Sequence, residues 1–290
     1  MKYFVPAKTF LAGEYSVLIG GAALGLATKP CFEISYLRHD GSFSFHPESP
    51  AGLYLQKNPK KTEDGLSIQL HDPFIANGIK GGFGKSTAEY FAAIIPDLIL
   101  KPKSPAQIHL DYLSLFEKQE IKPSGVDLMI QYTGGVSYID QSEKIYRALP
   151  WKWTDFDFFI ISTGLKIATH EHLAKLNLQD LKDLPAVSNQ VIDAYLHKDS
   201  ISFLSAMSAW VQALRKRGLT HPEVQSLKEE LEKIPGVLLA KPCGALGADV
   251  VLVFYDTHQK TQVKTALKVK NIKIQADQDD LTDGLSHELG

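Results

Sequence analysis

Hydrophobic positions along the chain follow two periods. Ala88, Phe91, Ala92 and Ile95 recur at i, i+3, i+4 and i+7, which predicts one face of a helix, with Pro96 as its end. Ile108, Tyr112, Leu115 and Phe116 predict a second helix, carrying Glu117 and Glu120 near its end. Phe32, Ile34 and Tyr36 alternate with Glu33 and Ser35, a strand pattern, and Asp40-Gly41 supplies a hairpin turn into 42–45. Short strands are expected at 3–5, 66–70 and 136–139, with the polar, proline-punctuated remainder of 46–77 as loop. A second half opens near Trp151, and the largely apolar run at 156–161 predicts a buried strand. Helical spacing then covers 181–216, stopped at Gly218, and 222–233. Strands at 237–240, 250–255 and 271–275 flank a helix at 259–269, and the acidic stretch 277–283 reads as a solvated tail. Mixed strands and helices throughout place the chain in the α+β or α/β class.

Composition narrows the function classes. At 290 residues the chain suffices for one large domain or two lobes, and 44% hydrophobic with 22% charged residues is ordinary for a water-soluble globular protein. A net charge of −2 and the lack of a long basic run argue against a nucleic-acid surface. Two cysteines, Cys31 and Cys243, cannot form a disulfide framework or, unaided, a zinc site, which fits a reducing cytoplasm. The first residues lack the apolar core of a signal peptide, and no run is long enough to cross a bilayer.

Candidate chemistry begins at Gly78-Ile79-Lys80-Gly81-Gly82-Phe83-Gly84-Lys85-Ser86-Thr87-Ala88, a glycine-rich turn that feeds the first predicted helix. Unpaired backbone N–H groups and the positive end of the helix dipole would favour phosphate there. Walker A is excluded, because its leading glycine would fall on Ile79 and no buried strand precedes the turn. An ordinary surface loop fits the same residues. Lys8 and Glu14 are charged positions among apolar neighbours, either snorkelling to the surface or paired and at work. His170-Glu171-His172 is too closely spaced for a helical His-Glu-x-x-His metal site.

Several segments, in order, resemble the GHMP kinase superfamily, named for galactokinase, homoserine kinase, mevalonate kinase and phosphomevalonate kinase. Pro6-Ala7-Lys8 through Gly13-Glu14-Tyr15-Ser16-Val17-Leu18 is similar to its first motif, with Gly-Glu-Tyr nearest the phosphomevalonate kinase version. Gly82-Phe83-Gly84-Lys85-Ser86-Thr87-Ala88 resembles the second motif. Pro123-Ser124-Gly125-Val126-Asp127, followed by Gly134-Gly135, is similar to the segment of the catalytic aspartate in mevalonate and phosphomevalonate kinases. Residues 163–169 resemble a threonine-rich segment, and 241–249 the glycine-rich third motif.

The resemblance implies an α+β, two-lobed fold. Residues 1–150 would form an ATP-binding lobe related to ribosomal protein S5 domain 2, and 151–290 a ferredoxin-like lobe. It implies ATP and Mg²⁺ as cofactors and transfer of the γ-phosphoryl group to a hydroxyl or phosphate acceptor, mevalonate or phosphomevalonate foremost. Asp127 would orient the acceptor and take its proton, with Lys8 beside it holding the carboxylate ionised. The phosphates would lie on Gly81, Gly82, Gly84, Lys85, Ser86 and Thr87. Glu14, Thr169, Gly244 and Gly247 fall to the substrate, with Lys166 and His170 as further contributors, and Ser86 and Glu117 fall to the metal. The implied partner is a small molecule, with no nucleic acid or membrane, and the chain acts as a monomer or homodimer.

Alternatives stay open. Asp127 can serve as a helix N-cap. Lys85 stands where the family has a serine, and Leu246 and Ala248 where it has glycines, so side chains could crowd phosphate or substrate. A mevalonate diphosphate decarboxylase shares the implied fold, and a catalytically silent nucleotide- or partner-binding protein would tolerate those departures.

Overall fold

The computed structural model describes residues 1–38, 45–59, 66–75, 82–119, 121–165, 167 and 176–288. The hairpin expected at Asp40-Gly41, and Gly81, Glu120, Lys166, Thr169 and the 170–172 triplet, lie outside the described residues. Two antiparallel sheets and eight described α-helices make a mixed α+β protein.

The first sheet is built on two long strands, β1 (Lys2–Ala12) and β2 (Ala23–Arg38). β3 (Leu66–His71) pairs with the distal half of β2, while β4 (Val136–Asp140) pairs with its proximal end and with β5 (Ile145–Leu149). β1 is therefore much longer than the expected strand at 3–5, and it carries Lys8 in register with Ala27. A helix absent from the sequence expectation, α1 (Pro50–Lys57), starts at Ser49, whose side chain accepts a bond from Gly52 N.

The helix after the glycine turn, α2 (Lys85–Leu100), runs through Pro96 instead of ending there. Proline removes the hydrogen bond to the carbonyl four residues earlier, but the Tyr36 hydroxyl on β2 donates to Ala92 O at 2.7 Å and fills that vacancy. Next come α3 (Pro105–Ser114) and α4 (Val126–Thr133). α4 lies so close to β2 that a Cβ on Gly25 would fall 2.2 Å from Ile130 Cδ1.

The second sheet comprises β6 (Phe156–Ser162), β7 (Val237–Cys243), β8 (Val250–Asp256) and β9 (Ile274–Asp277), ordered β7-β8-β6-β9. Its run in β6, apolar from Phe156 to Ile161 but for the buried Asp157, is explained by cover on both faces. Phe156, Phe158 and Ile160 join the main core, with Tyr195 of α5 (Leu184–His197) and Phe203 of α6 (Ser200–Lys216). Phe159 and Ile161 face a second cluster with Val224 of α7 (Pro222–Leu231) and Val263 of α8 (Lys260–Val269). The 181–216 stretch is thus two helices, parted at Lys198, which has φ 59°.

The acidic 277–283 stretch is not a solvated tail. Thr282 N donates to Ala27 O, Gly135 N to Thr282 O and Leu285 N to Gln131 O, and β10 (Ser286–Glu288) pairs with β1. Chain end and chain start therefore share one sheet, over the back of α4.

Candidate active site

Three segments converge between the sheets. β1 brings Lys8 and Phe10, the turn at 82–87 leads into α2, and the 123–127 segment starts α4. The phosphate-type turn is anchored by Phe83, buried and stacked on Phe74 with ring centroids 4.1 Å apart. Lys8 N donates to Phe83 O at 3.0 Å, tying the turn to β1. Gly84 takes the N-cap position of α2 with φ 91°, and no side chain caps the helix. The first-turn N–H groups therefore have no side-chain cap at the positive end of a 16-residue helix, a fit for an anion such as a nucleotide phosphate.

Asp127 is not an N-cap. Gly125, with φ 70°, holds that position, and Asp127 is the second helical residue, where its charge favours the helix dipole. Its Oδ2 lies 3.0 Å from Lys8 Nζ. The lysine side chain is nearly buried while the carboxylate is about two-fifths exposed, so the pair presents its acid to the cleft. Burial lowers the Lys8 pKa, but the Asp127 and Asp249 carboxylates more than offset it, and the net shift is upward. Lys8 is thereby a fixed cation at neutral pH.

Around this pair lies an open cleft. Phe10, Val17, Leu18 and Tyr112 give it apolar walls, and Glu14, Tyr15, Ser124, Gly244 and Asp249 give it polar ones. The mixed lining suits a small molecule. Asp249 was not singled out by sequence reasoning, yet it packs between two motifs. A Cβ on Gly82 would lie 2.4 Å from Asp249 Cβ, and one on Gly244 2.0 Å from Asp249 Oδ2.

Other expected site residues take varied places. Thr87 turns its hydroxyl inward to Gly84 O and Gln131 Oε1. Ser86 is exposed on the first turn of α2, where its hydroxyl could reach a phosphate-bound metal. Lys85 lies 3.5 Å from Asp72 Oδ2. Glu117 is exposed in the turn after α3 and is not part of the cleft lining. Among the described residues no cluster of three or more His, Cys, Asp or Glu could hold a metal by itself. Mg²⁺ held chiefly by nucleotide phosphates needs only one or two protein ligands.

Glu14 and Lys8 are both buried rather than snorkelling. Glu14 Oε1 pairs with Lys241 Nζ and its Oε2 accepts from Trp210 Nε1 at 3.3 Å, so both oxygens have protein partners. The two departures in the third motif are absorbed locally. Leu246 adopts the left-handed conformation a glycine would take, φ 51° and ψ 28°, and its N–H donates to Tyr15 Oη at 2.9 Å. The Ala248 methyl is buried in the second core cluster and does not reach the cleft. Gly247, with φ 66°, packs on Pro242.

No protein-family profile matches the sequence, and no curated protein matches it. Solved structures do match over nearly the whole chain. Streptococcus pneumoniae phosphomevalonate kinase, in complex with phosphomevalonate and AMPPNP, superposes with a TM-score of 0.74 at 15% identity, covering 96% of this chain and 99% of that one. The fold is that of the GHMP kinases. Methanococcus jannaschii mevalonate kinase matches at TM-score 0.69 and 16% identity, with 98% of each chain covered. Lactococcus lactis galactokinase complexed with galactose matches at 0.70 and 13%, covering 98% of this chain and 94% of that one. At such identities the GHMP kinase fold is what these proteins share with this chain; among its described residues no helix is long and apolar enough to cross a membrane.

Proposed function

We propose that the protein is an ATP- and Mg²⁺-dependent small-molecule kinase that transfers the γ-phosphoryl group to a hydroxyl or phosphate acceptor, with mevalonate and phosphomevalonate as the first acceptors to test. One observation carries the reading: the Lys8–Asp127 pair faces a cleft of mixed apolar and polar lining beside an uncapped helix N-terminus. Phosphoryl transfer asks a protein mainly to position reactants and to neutralise charge on the transferred group. In this reading Asp127 accepts the proton of an acceptor hydroxyl as its oxygen attacks phosphorus. Lys8 offsets the charge of carboxylate and attacking oxygen. The first-turn N–H groups of α2 hold the phosphates, and the exposed Ser86 hydroxyl contacts a phosphate-bound Mg²⁺, which would add charge neutralisation. The soluble kinase reading also fits a cytoplasmic protein.

The Lys85–Asp72 pair favours one rival, a silent nucleotide binder, because it draws toward Asp72 the cation that stands in place of the family's serine. ATP consumption with Mg²⁺ against mevalonate, phosphomevalonate, diphosphomevalonate, homoserine and galactose separates the readings. Turnover of mevalonate or phosphomevalonate is the expected result. CO₂ release from diphosphomevalonate would assign a decarboxylase, and nucleotide binding without any turnover would assign the silent binder.

A further inference from the structure

Gln131, on α4, ties the other two segments of the site together from within. It is fully buried on α4, four residues and one helical turn beyond Asp127. Its Nε2 donates to Pro6 O at 2.8 Å, two residues before Lys8 on β1, and to Gly84 O at 3.2 Å, the N-cap of α2. Its Oε1 accepts from the Thr87 hydroxyl in the first turn of α2. Pro6 falls at a register shift between Val5 and Ala7, where the partner on β2 jumps from Phe32 to Thr28, and its carbonyl accepts from the amide. The fit is tight on the other side as well. A Cβ on Gly84 would come within 2.6 Å of Gln131 Nε2 and 3.0 Å of Lys8 Cγ.

A buried primary amide is destabilising unless its donors and acceptor are matched. Here two N–H groups meet two carbonyls and the oxygen meets a hydroxyl, so the orientation of the amide is fixed by its partners. None of these bonds serves α4 itself. Each runs to the strand of Lys8 or to the turn that would hold phosphate. We infer that Gln131 is a positioning residue that sets the separation between the phosphate-binding turn and the Lys8–Asp127 pair. Its chemical consequence rests on the kinase reading, whereas its geometric role does not. For an in-line transfer, a displacement of the phosphates by about 1 Å is enough to lower the rate by about 10²-fold.

The test uses the full chain with Gln131→Leu, which keeps volume but loses all three bonds, and Gln131→Glu, which keeps shape but turns oxygens toward two carbonyls. Hydrogen exchange over 82–88 should become about tenfold faster in both variants, while exchange over β7 and β8 stays unchanged. With an accepted substrate, KM for ATP should rise about tenfold or kcat fall as much, with the acceptor KM within about twofold of wild type. Should neither variant fold, Thr87→Val removes the hydroxyl shared by Gln131 Oε1 and Gly84 O and should loosen the turn about threefold. Exchange over 82–88 that matches wild type, or that rises only in step with the whole chain, would overturn the inference. If wild type turns over no acceptor, the kinase reading fails, and the exchange result still decides the role of Gln131.

Discussion

Lys8 Nζ lies 3.0 Å from Asp127 Oδ2, joining a strand near the start of the chain to a helix more than a hundred residues later. The lysine is buried, and its partner reaches the cleft. Removing the cation leaves the carboxylate in place but takes away the charge that offsets it. Lys8→Met should therefore lower kcat about 10²–10³-fold while leaving nucleotide affinity within a few-fold. Steady-state kinetics and AMPPNP titration check both, and an unchanged kcat would remove Lys8 from the chemistry.

Glu14 and Lys241 form a second, deeper pair between the end of β1 and strand β7, with Lys241 fully buried. Burial lowers the Lys241 pKa, but Cys243 and Glu14 together raise it above its ordinary value. Breaking such a pair leaves an uncompensated charge inside the protein. Lys241→Met should destabilise by about 3–5 kcal/mol in denaturant unfolding, and the double variant with Glu14→Gln by less than the single.

Cys243, beside Lys241, is buried and its thiol is pushed up to about 11 by burial, which the lysine only partly offsets. Thiolate is the reactive form, so Cys243 should resist thiol reagents at pH 8 in the folded protein. Half-buried Cys31 should label first, and Cys243 only on unfolding. Rapid labelling of both in the native state would contradict this.

His109 supports the Asp127 segment from behind. Its Nε2 is 2.7 Å from Ser124 O, so that nitrogen carries the proton and Nδ1 accepts from Tyr146 Oη at 2.9 Å. Burial lowers its pKa below 6.5, partly offset by the bond to Ser124. A base whose folded value is depressed leaves the unfolded chain holding more protons. Its contribution is complete above about 6.5 and is lost as pH falls from there toward the folded value. Melting temperature should drop between pH 7 and 5, and less steeply in His109→Gln. Equal slopes would exclude His109 as the cause.

Local chemistry was legible where it repeats within one segment. The spacing of Ala88, Phe91, Ala92 and Ile95 marks the buried face of α2, and the glycine turn before it leads into an uncapped helix N-terminus, as its composition suggests. What the sequence hid was settled by distant partners. Pro96 reads as a stop because the Tyr36 hydroxyl that rescues Ala92 O comes from another strand. The 277–283 stretch looks solvated because the bonds of Thr282 to Ala27 and Gly135, and of neighbouring Leu285 to Gln131, are made by backbone, which leaves no side-chain signature. Asp127 reads equally as a cap until Gly125 is seen to hold that position, and Gln131 is just one polar residue on a short helix until Pro6 and Gly84 surround it. Only the ordered resemblance of several motifs brought Lys8 and Asp127 together in advance.

The most direct test of phosphoryl transfer at the Lys8–Asp127 pair follows the label itself. Wild type and Asp127→Asn would be given ATP labelled at the γ-phosphate with Mg²⁺ and each of mevalonate and phosphomevalonate. Wild type should move label onto one acceptor, and Asp127→Asn should do so about 10²–10⁴-fold more slowly while binding AMPPNP within about twofold of wild type. Label transfer by Asp127→Asn at the wild-type rate would contradict the account.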